Sequence, residues 1–197
     1  GTTDPTDPNR PAIVGHGISK NLGMRKGVVA HVEDVVEAVS SAVNEAQRVS
    51  GFDIRSATIN INGSHVKGIN SQGVIAISST NREITNEDRL RVEEAATIVS
   101  LPPNREIIQV FAKNYRIDGQ DNIKDPVEMH GVRLEVDTHI VTAATPNINS
   151  IYSVLEHCNL RPSHRTVSSL AAAEAVLSRQ QKEAGTLVVD IGAGTTN

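Results

Sequence analysis

Disulfides, stacking aromatics and membrane spans are what this sequence does without. Its single cysteine, Cys158, rules out an internal disulfide framework and suits a reducing cytoplasm. Tryptophan is absent, and two tyrosines and two phenylalanines are the only aromatics. With Lys and Arg scattered and a formal net charge of −4, there is no basic face carrying stacking rings, so nucleic acid is not an expected partner. No apolar run approaches the ~20 residues of a membrane span. The N-terminus shows neither a charged leader nor an apolar signal core. Gly1–Asn9, rich in Asp and Pro, reads as a flexible loop or the tip of a hairpin. Seven histidines form no close cluster at zinc-like spacing. No Ser/His/Asp order or carboxylate pair emerges from spacing, so no catalytic residue is assigned. A length of 197 residues suits one large domain or two small ones.

What is present is concentrated near the C-terminus. Thr186-Leu187-Val188-Val189 has the form of a buried parallel strand, and Asp190-Ile191-Gly192-Ala193-Gly194-Thr195-Thr196-Asn197 follows it. A carboxylate therefore stands at a strand's C-terminal end, where open α/β sheets place their ligands. Gly192 and Gly194 let backbone N–H groups approach a phosphate closely, Thr195 and Thr196 add hydroxyls, and Asp190 suits a hydrated Mg2+. The motif is not a P-loop, because no Gly-Lys-Ser/Thr follows, and it lacks the third glycine of a dinucleotide fingerprint. Alone, the eight residues fit a phosphate cradle and an ordinary strand-to-strand turn equally well.

Periodicity organises the rest. Residues 12–18 suggest a short strand, leading to the glycine-punctuated link Gly23-Met24-Arg25-Lys26-Gly27. Val32, Val35, Val36, Val39, Val43, Ala46 and Val49 form one helical stripe that Gly51 closes, with Glu33 and Asp34 in the first turn. Ala57, Ile59 and Ile61 alternate with polar residues as in a half-buried strand. A β segment is expected around Val74–Ile77, and Thr85-Asn86-Glu87-Asp88 looks like a capping box opening a helix to about Val99. Ile107–Phe111 reads as a strand extensible towards Ile117. Asn114–Met129 is read first as a polar surface loop, and only second as a protein-binding edge. Val132, Leu134, Val136, Thr138 and Ile140 alternate with Arg133, Glu135, Asp137 and His139, the latter a solvated face. From Thr142 the pattern becomes helix (Ile148–Cys158, with Cys158 a buried small residue), short strand (Arg165–Val167), Ala-rich helix (Ser169–Gln181) and terminal strand (Leu187–Ile191). Such alternation implies a parallel sheet with crossovers, interrupted by a compact α+β insert at about 62–141.

Several stretches in this order resemble the FtsA family of bacterial cell-division proteins, in the actin/Hsp70-like ATPase superfamily. They are Gly23-Met24-Arg25-Lys26-Gly27-Val28 with the helix after it, Ala57–Ser64, Glu83-Ile84-Thr85-Asn86-Glu87-Asp88, Asp125-Pro126-Val127, Gly131-Val132-Arg133-Leu134 and Ser169-Leu170-Ala171. Asp190–Thr196 is similar to the superfamily's second phosphate loop. The resemblance implies an α/β fold: a partial actin-like (ribonuclease H-like) ATPase lobe with an inserted α+β subdomain (1C, SHS2-like). Residues 1–61 and 142–184 would form most of subdomain 1A, 62–141 subdomain 1C, and 185–197 the start of 2A. ATP and Mg2+ would be the cofactors of the intact protein, held by Asp190, Gly192, Ala193, Gly194, Thr195 and Thr196, with Asp190 reaching Mg2+ through water.

Further expectations follow from the family. FtsZ and late division proteins would be partners, with self-association through 62–141. The protein would lie at the inner face of the cell membrane at the division site, attached by a C-terminal helix not in this chain. Three departures stand out: Ala193 replaces a usual glycine, Asn197 stands where many relatives carry an acid, and His31 where relatives open the helix with an acid. The first phosphate loop and the adenosine motif are not in the sequence either. The chain therefore reads as a fragment, inactive by itself and binding no cofactor alone. Two alternatives remain: a pilus-assembly actin-like protein or Hsp70-like ATPase of the same superfamily, and a purely structural interaction domain with an incidental glycine turn.

Overall fold

The computed structural model describes residues 3–4 and 7–197, with side chains from residue 12 onward. The chain divides into two compact units, one of Gly1–Ser64 with Pro146–Asn197 and one of His65–Thr145. In the first unit, β1 (Thr3–Asp4) pairs antiparallel with β2 (Asp7–Pro11), where the sequence reads as a flexible loop or a hairpin tip. Residues 1, 2, 5 and 6 lie outside the described residues. The strand expected at 12–18 does not form. A methyl on Gly17 would sit 1.8 Å from the Ala42 carbonyl oxygen, and one on Gly15 2.8 Å from that of Ala46. The segment is thus laid along a helix backbone rather than beside a strand partner.

The small hairpin β3 (Met24–Arg25) and β4 (Val28–Val29) precedes that helix, α1 (Val32–Ser50). Of the apolar stripe Val35 is buried, with Ala38 beside it, while Val32 and Val49 at its ends are exposed; Gly51 ends the helix in the left-handed conformation at φ 73°. His31 takes the extended N-cap conformation but accepts no backbone N–H through its side chain. Strand β5 (Ser56–Ile61) alternates exposed and covered residues as read from the sequence, ending on fully buried Ile61.

The second unit begins with β6 (Lys67–Ala76), which starts well before the expected Val74. Two glycines mask it in the sequence. A methyl on Gly73 would meet the Val92 carbonyl oxygen at 2.1 Å, and one on Gly68 the His139 ring at 2.5 Å, so both leave room for neighbours. Helix α2 (Asn86–Ala96) opens on the anticipated capping box, with the Asp88 N–H donating to Thr85 Oγ1 and the Thr85 N–H to Asp88 Oδ2. It stops at Ala96, short of Val99. Strand β7 (Arg105–Ile117) realises the full extension. Asp118 and Gly119, at φ 47° and 90°, then make the two-residue turn into β8 (Gln120–Ile123). The loop expected at Asn114–Met129 is therefore largely a hairpin, announced by an Asp-Gly pair.

Strand β9 (Arg133–Ala144) completes an antiparallel sheet in the order β6-β9-β7-β8. One face packs Leu134, Val136, Tyr115 and Ile117 against Ile77, Ile84, Val92 and Ala96. The opposite face is not simply solvated. Glu135 is only 8% exposed, paired with Arg116 at 3.1 Å and Arg133 at 3.0 Å. Arg116 also reaches Asp137 at 3.3 Å and Asp121 at 3.6 Å, so the alternating charges neutralise one another.

The chain re-enters the first unit through α3 (Thr145–His157), which buries Ile148, Val154 and Leu155. Cys158 is half-buried rather than fully buried, accepting from Ser40 Oγ at 3.4 Å and donating to the Val36 carbonyl at 3.7 Å. Strand β10 (Arg161–Val167) starts earlier than read, with a register shift at Pro162 that hides it, and runs parallel to β5. The expected helix Ser169–Gln181 is two helices, α4 (Ser168–Val176) and α5 (Arg179–Ala184). Ser178 and Gln181 form a capping box that restarts the helix.

Asp88 is held below the usual carboxyl range, chiefly by the Thr85 backbone N–H, and Asp118 likewise by the N–H groups of Val132 and Arg133. Groups with depressed folded values stabilise fully above the ordinary range, about pH 4, and lose that stabilisation as pH falls through the folded value. The urea midpoint is expected to drop on acidification below about pH 4, less steeply in Asp88→Asn; an unaltered pH profile in that variant contradicts the assignment. His31→Asp is expected to stabilise the chain by about 0.5–1 kcal/mol in the same assay, by supplying the missing cap.

Candidate functional site

Three loops of the first unit meet at the C-terminal end of β5. Lys26 and Gly27 connect β3 to β4, both at positive φ (49° and 77°), the requirement of a two-residue hairpin turn. A methyl on Gly27 would stand 2.8 Å from the Gly63 Cα and 2.9 Å from the Asn62 carbonyl oxygen. The Lys26-Gly27 turn is therefore pressed onto the residues that leave β5. Gly63 is itself at φ 119°, so this second loop also depends on glycine.

The third loop is the C-terminal turn. Asp190 and Asn197 exchange two backbone hydrogen bonds at 2.9 Å, and the Gly192 N–H donates to the Thr195 carbonyl at 2.9 Å. Ile191 bridges Thr196 antiparallel. The turn is tied to the other two loops at two points. Asn62 Nδ2 donates to Thr195 Oγ1 at 2.9 Å, and Gly194 lies so close that a methyl there would be 3.3 Å from the Lys26 Cα and N. The location agrees with the rule that α/β sheets place ligands beyond strand C-termini, since β10 runs parallel to β5.

All six residues singled out in the sequence, Asp190, Gly192, Ala193, Gly194, Thr195 and Thr196, belong to this one turn. Asp190 and Thr195 are half-buried; Gly192, Ala193, Gly194 and Thr196 are exposed. Ala193 is not among the positive-φ residues, so its methyl introduces no backbone strain. Asn197 closes the turn through its backbone. The run before the turn departs from expectation. Thr186–Val189 forms no strand, and Leu187 is 87% exposed and Ile191 78%. Among the described residues no strand pairs with this run; Leu187 and Val189 are exposed and Val188 is half-buried.

Backbone without bulky side chains, two hydroxyls and the nearby Lys26 suit a group rich in anionic oxygens. Among the described residues no three His, Cys, Asp or Glu side chains gather to hold a metal. Asp190 supplies one carboxylate, which fits a hydrated Mg2+ that draws its remaining ligands from water and phosphate. Asn62 and Lys26 were not singled out as site residues. Their signals were the Lys-Gly pair between two short β segments and the Asn-Gly pair after an alternating strand. The two large cavities of the first unit, about 690 and 810 Å3, lie along α1 and away from this turn.

Comparison with known proteins places these features in context. Residues 63–142 match the family model described as the SHS2 domain inserted in FtsA. The sequence is 38% identical over 185 residues to the cell division protein FtsA of Borreliella burgdorferi, covering 94% of this chain and 45% of that protein. It is 37% identical to FtsA of Pseudomonas aeruginosa (94% of this chain, 44% of that protein) and 33% to FtsA of Escherichia coli (93% and 43%). The chain thus spans less than half the length of these relatives. Among solved structures, a chain of a PilM–PilN type IV pilus biogenesis complex superposes with a TM-score of 0.55 at 17% identity, covering 90% of this chain and 47% of that one. That likeness concerns the fold alone: a mixed α/β, partial actin-like arrangement with an SHS2 insertion.

The glycines of the site make separable predictions. A methyl at Gly192 would meet only ordinary contacts, 3.4 Å from the Thr195 carbonyl oxygen, whereas one at Gly27 would clash and adopt a strained φ. Gly192→Ala is expected to leave the thermal midpoint within about a degree, while Gly27→Ala costs about 1–3 kcal/mol. Equal losses in both would refute the three-loop arrangement.

Proposed function

We propose, for a chain that is FtsA-type in sequence along 94% of its length and carries an SHS2 domain at residues 63–142, a role in bacterial cell division as an assembly protein with an actin-like nucleotide site. The relatives are cell division proteins, and that similarity supports the division role. The hydrogen bond from Asn62 to Thr195 is the observation that carries the nucleotide reading, because it joins the glycine turn to the C-terminal end of β5. In the intact protein ATP would bind here, with the backbone of Ala193 and Gly194 and the hydroxyls of Thr195 and Thr196 on its phosphates. Mg2+, held through water by Asp190, would neutralise phosphate charge. Nucleotide occupancy would then bias assembly.

The 62–141 region is proposed as the protein-interaction surface, serving self-association and late division proteins. FtsZ is the proposed filament partner, at the inner face of the membrane. Among the described residues no helix is long and apolar enough to cross a membrane. Membrane attachment is assigned, on the resemblance, to a C-terminal amphipathic helix. A pilus-assembly role is the second reading. It is favoured by the PilM–PilN fold likeness, but at 17% identity against 33–38% for the division proteins.

The protein carried to the full length of its relatives is expected to recruit FtsZ to liposomes in a co-sedimentation assay. Failure to recruit would favour the pilus reading. The present chain alone is expected to give no saturable heat with Mg-ATP up to millimolar ligand. Micromolar one-to-one binding would overturn the view that contacts from a second lobe are needed.

A further inference from the structure

Resting on the nucleotide reading above, we propose that Asn62 is a positioning residue that sets the hydrogen-bond polarity of Thr195, so that the threonine hydroxyl acts as a donor to a phosphate oxygen. The orientation of the Asn62 side chain is fixed by its own loop. Oδ1 accepts the Gly63 N–H at 2.7 Å, which turns Nδ2 to Thr195 Oγ1 at 2.9 Å. An amide nitrogen can only donate, so Oγ1 is the acceptor in this bond. A hydroxyl has a single proton, and with Asn62 in this role the Thr195 proton is directed to another acceptor. Among the described hydrogen bonds none takes it. Thr195 is half-buried, in a turn whose Gly192 N–H is already engaged by the Thr195 carbonyl, so the hydroxyl is a donor the turn retains for a ligand.

A mere structural tie would not require this polarity. The meeting of the loops is already enforced by glycine packing, with Gly27 against Asn62 and Gly63, and Gly194 against Lys26. The bond from Asn62 adds direction to that packing. It also couples positions 133 residues apart, joining the end of β5 to the C-terminal turn. A phosphate is the chemical class that fits, because its oxygens are pure acceptors at neutral pH and gain most from donors with no competing partner.

Asn62→Asp is nearly isosteric and reverses the polarity: a carboxylate can only accept, so Thr195 would donate to it and be lost to the ligand. The test is made on the protein carried to the length of its relatives, by calorimetry with ATP and with adenosine, each with Mg2+. Asn62→Asp and Thr195→Val are each expected to weaken ATP binding at least tenfold with little change in adenosine binding. The double variant of Thr195→Val with Asn62→Leu, which removes the tie without adding a charge, should be no weaker than Thr195→Val alone, because the donor that Asn62 positions is already gone. Thr195→Ser, which keeps the hydroxyl, should retain most of the affinity. Unaltered ATP binding in Asn62→Asp overturns the assignment, as do additive losses in the double variant. Equal losses for ATP and adenosine would mean a structural role and overturn it too. A wild-type protein that binds no ATP fails at an earlier step and overturns the nucleotide reading itself.

Discussion

Burial of β9 is the constraint on which the second unit depends. The strand is paired on both sides, with β6 along ten residues and with β7 along most of its length. Leu134, Val136, Ile140 and Ala143 are fully buried, and burying each large aliphatic side chain stabilises by about 1.5–3 kcal/mol. The Arg116 network is partly buried around Glu135, so the arginines chiefly offset the cost of burying that carboxylate and specify the polar face more than they stabilise it. Polar groups on the strand are satisfied within the sheet. Thr138 and Thr142 donate to the Ser71 and Lys67 carbonyls, and Arg105 reaches both Thr142 and the His65 carbonyl. Helix α2 can cover β6 only because Gly73 has no side chain.

A different principle governs the first unit. Its regular sheet pairing within the core is a two-stranded parallel sheet, and three of its large apolar residues, Ile13, Ile18 and Leu187, are more than 80% exposed. Order there is imposed by close backbone approach. Gly15 and Gly17 lie on α1, Gly23 abuts the His31 carbonyl, and Gly27 meets Asn62 and Gly63. Such contacts position loops accurately while leaving their polar groups exposed, an arrangement suited to binding rather than to covering a core. The candidate site follows from it, because the glycines bring the Lys26-Gly27 turn, the Asn62 amide and the hydroxyl- and carboxylate-bearing C-terminal turn to one strand end.

The division between units matches a division of labour in the proposed function. In that proposal the well-buried sheet is the stable surface for protein partners, and its partly buried ion pairs give that surface a fixed charge pattern. The first unit holds the small, exposed turn to which a phosphate-bearing ligand is assigned. Neither role requires a catalytic side chain of its own.

Elements with strong periodicity or explicit punctuation were legible in the amino-acid sequence: α1 from its valine stripe and Gly51, α2 from Thr85 and Asp88, β5 and β9 from period-two alternation. So was the cluster of Asp190 through Thr196, since local composition alone marks a small-residue turn. Less legible were β6 and β10, because Gly68, Gly73 and Pro162 interrupt the pattern for the sake of neighbours distant in sequence. The Ser178 cap and the Asp118-Gly119 turn were written in the chain but outweighed by the composition around them. Tertiary structure alone decided that Glu135 is buried, since its cost is offset by arginines on β7 and β9. It alone decided that Thr186–Val189 pairs with no described strand, because an apolar run becomes a strand only where another edge accepts its hydrogen bonds. The joining of Asn62 to Thr195 likewise came from the fold, for a bond across 133 residues leaves no local trace in sequence.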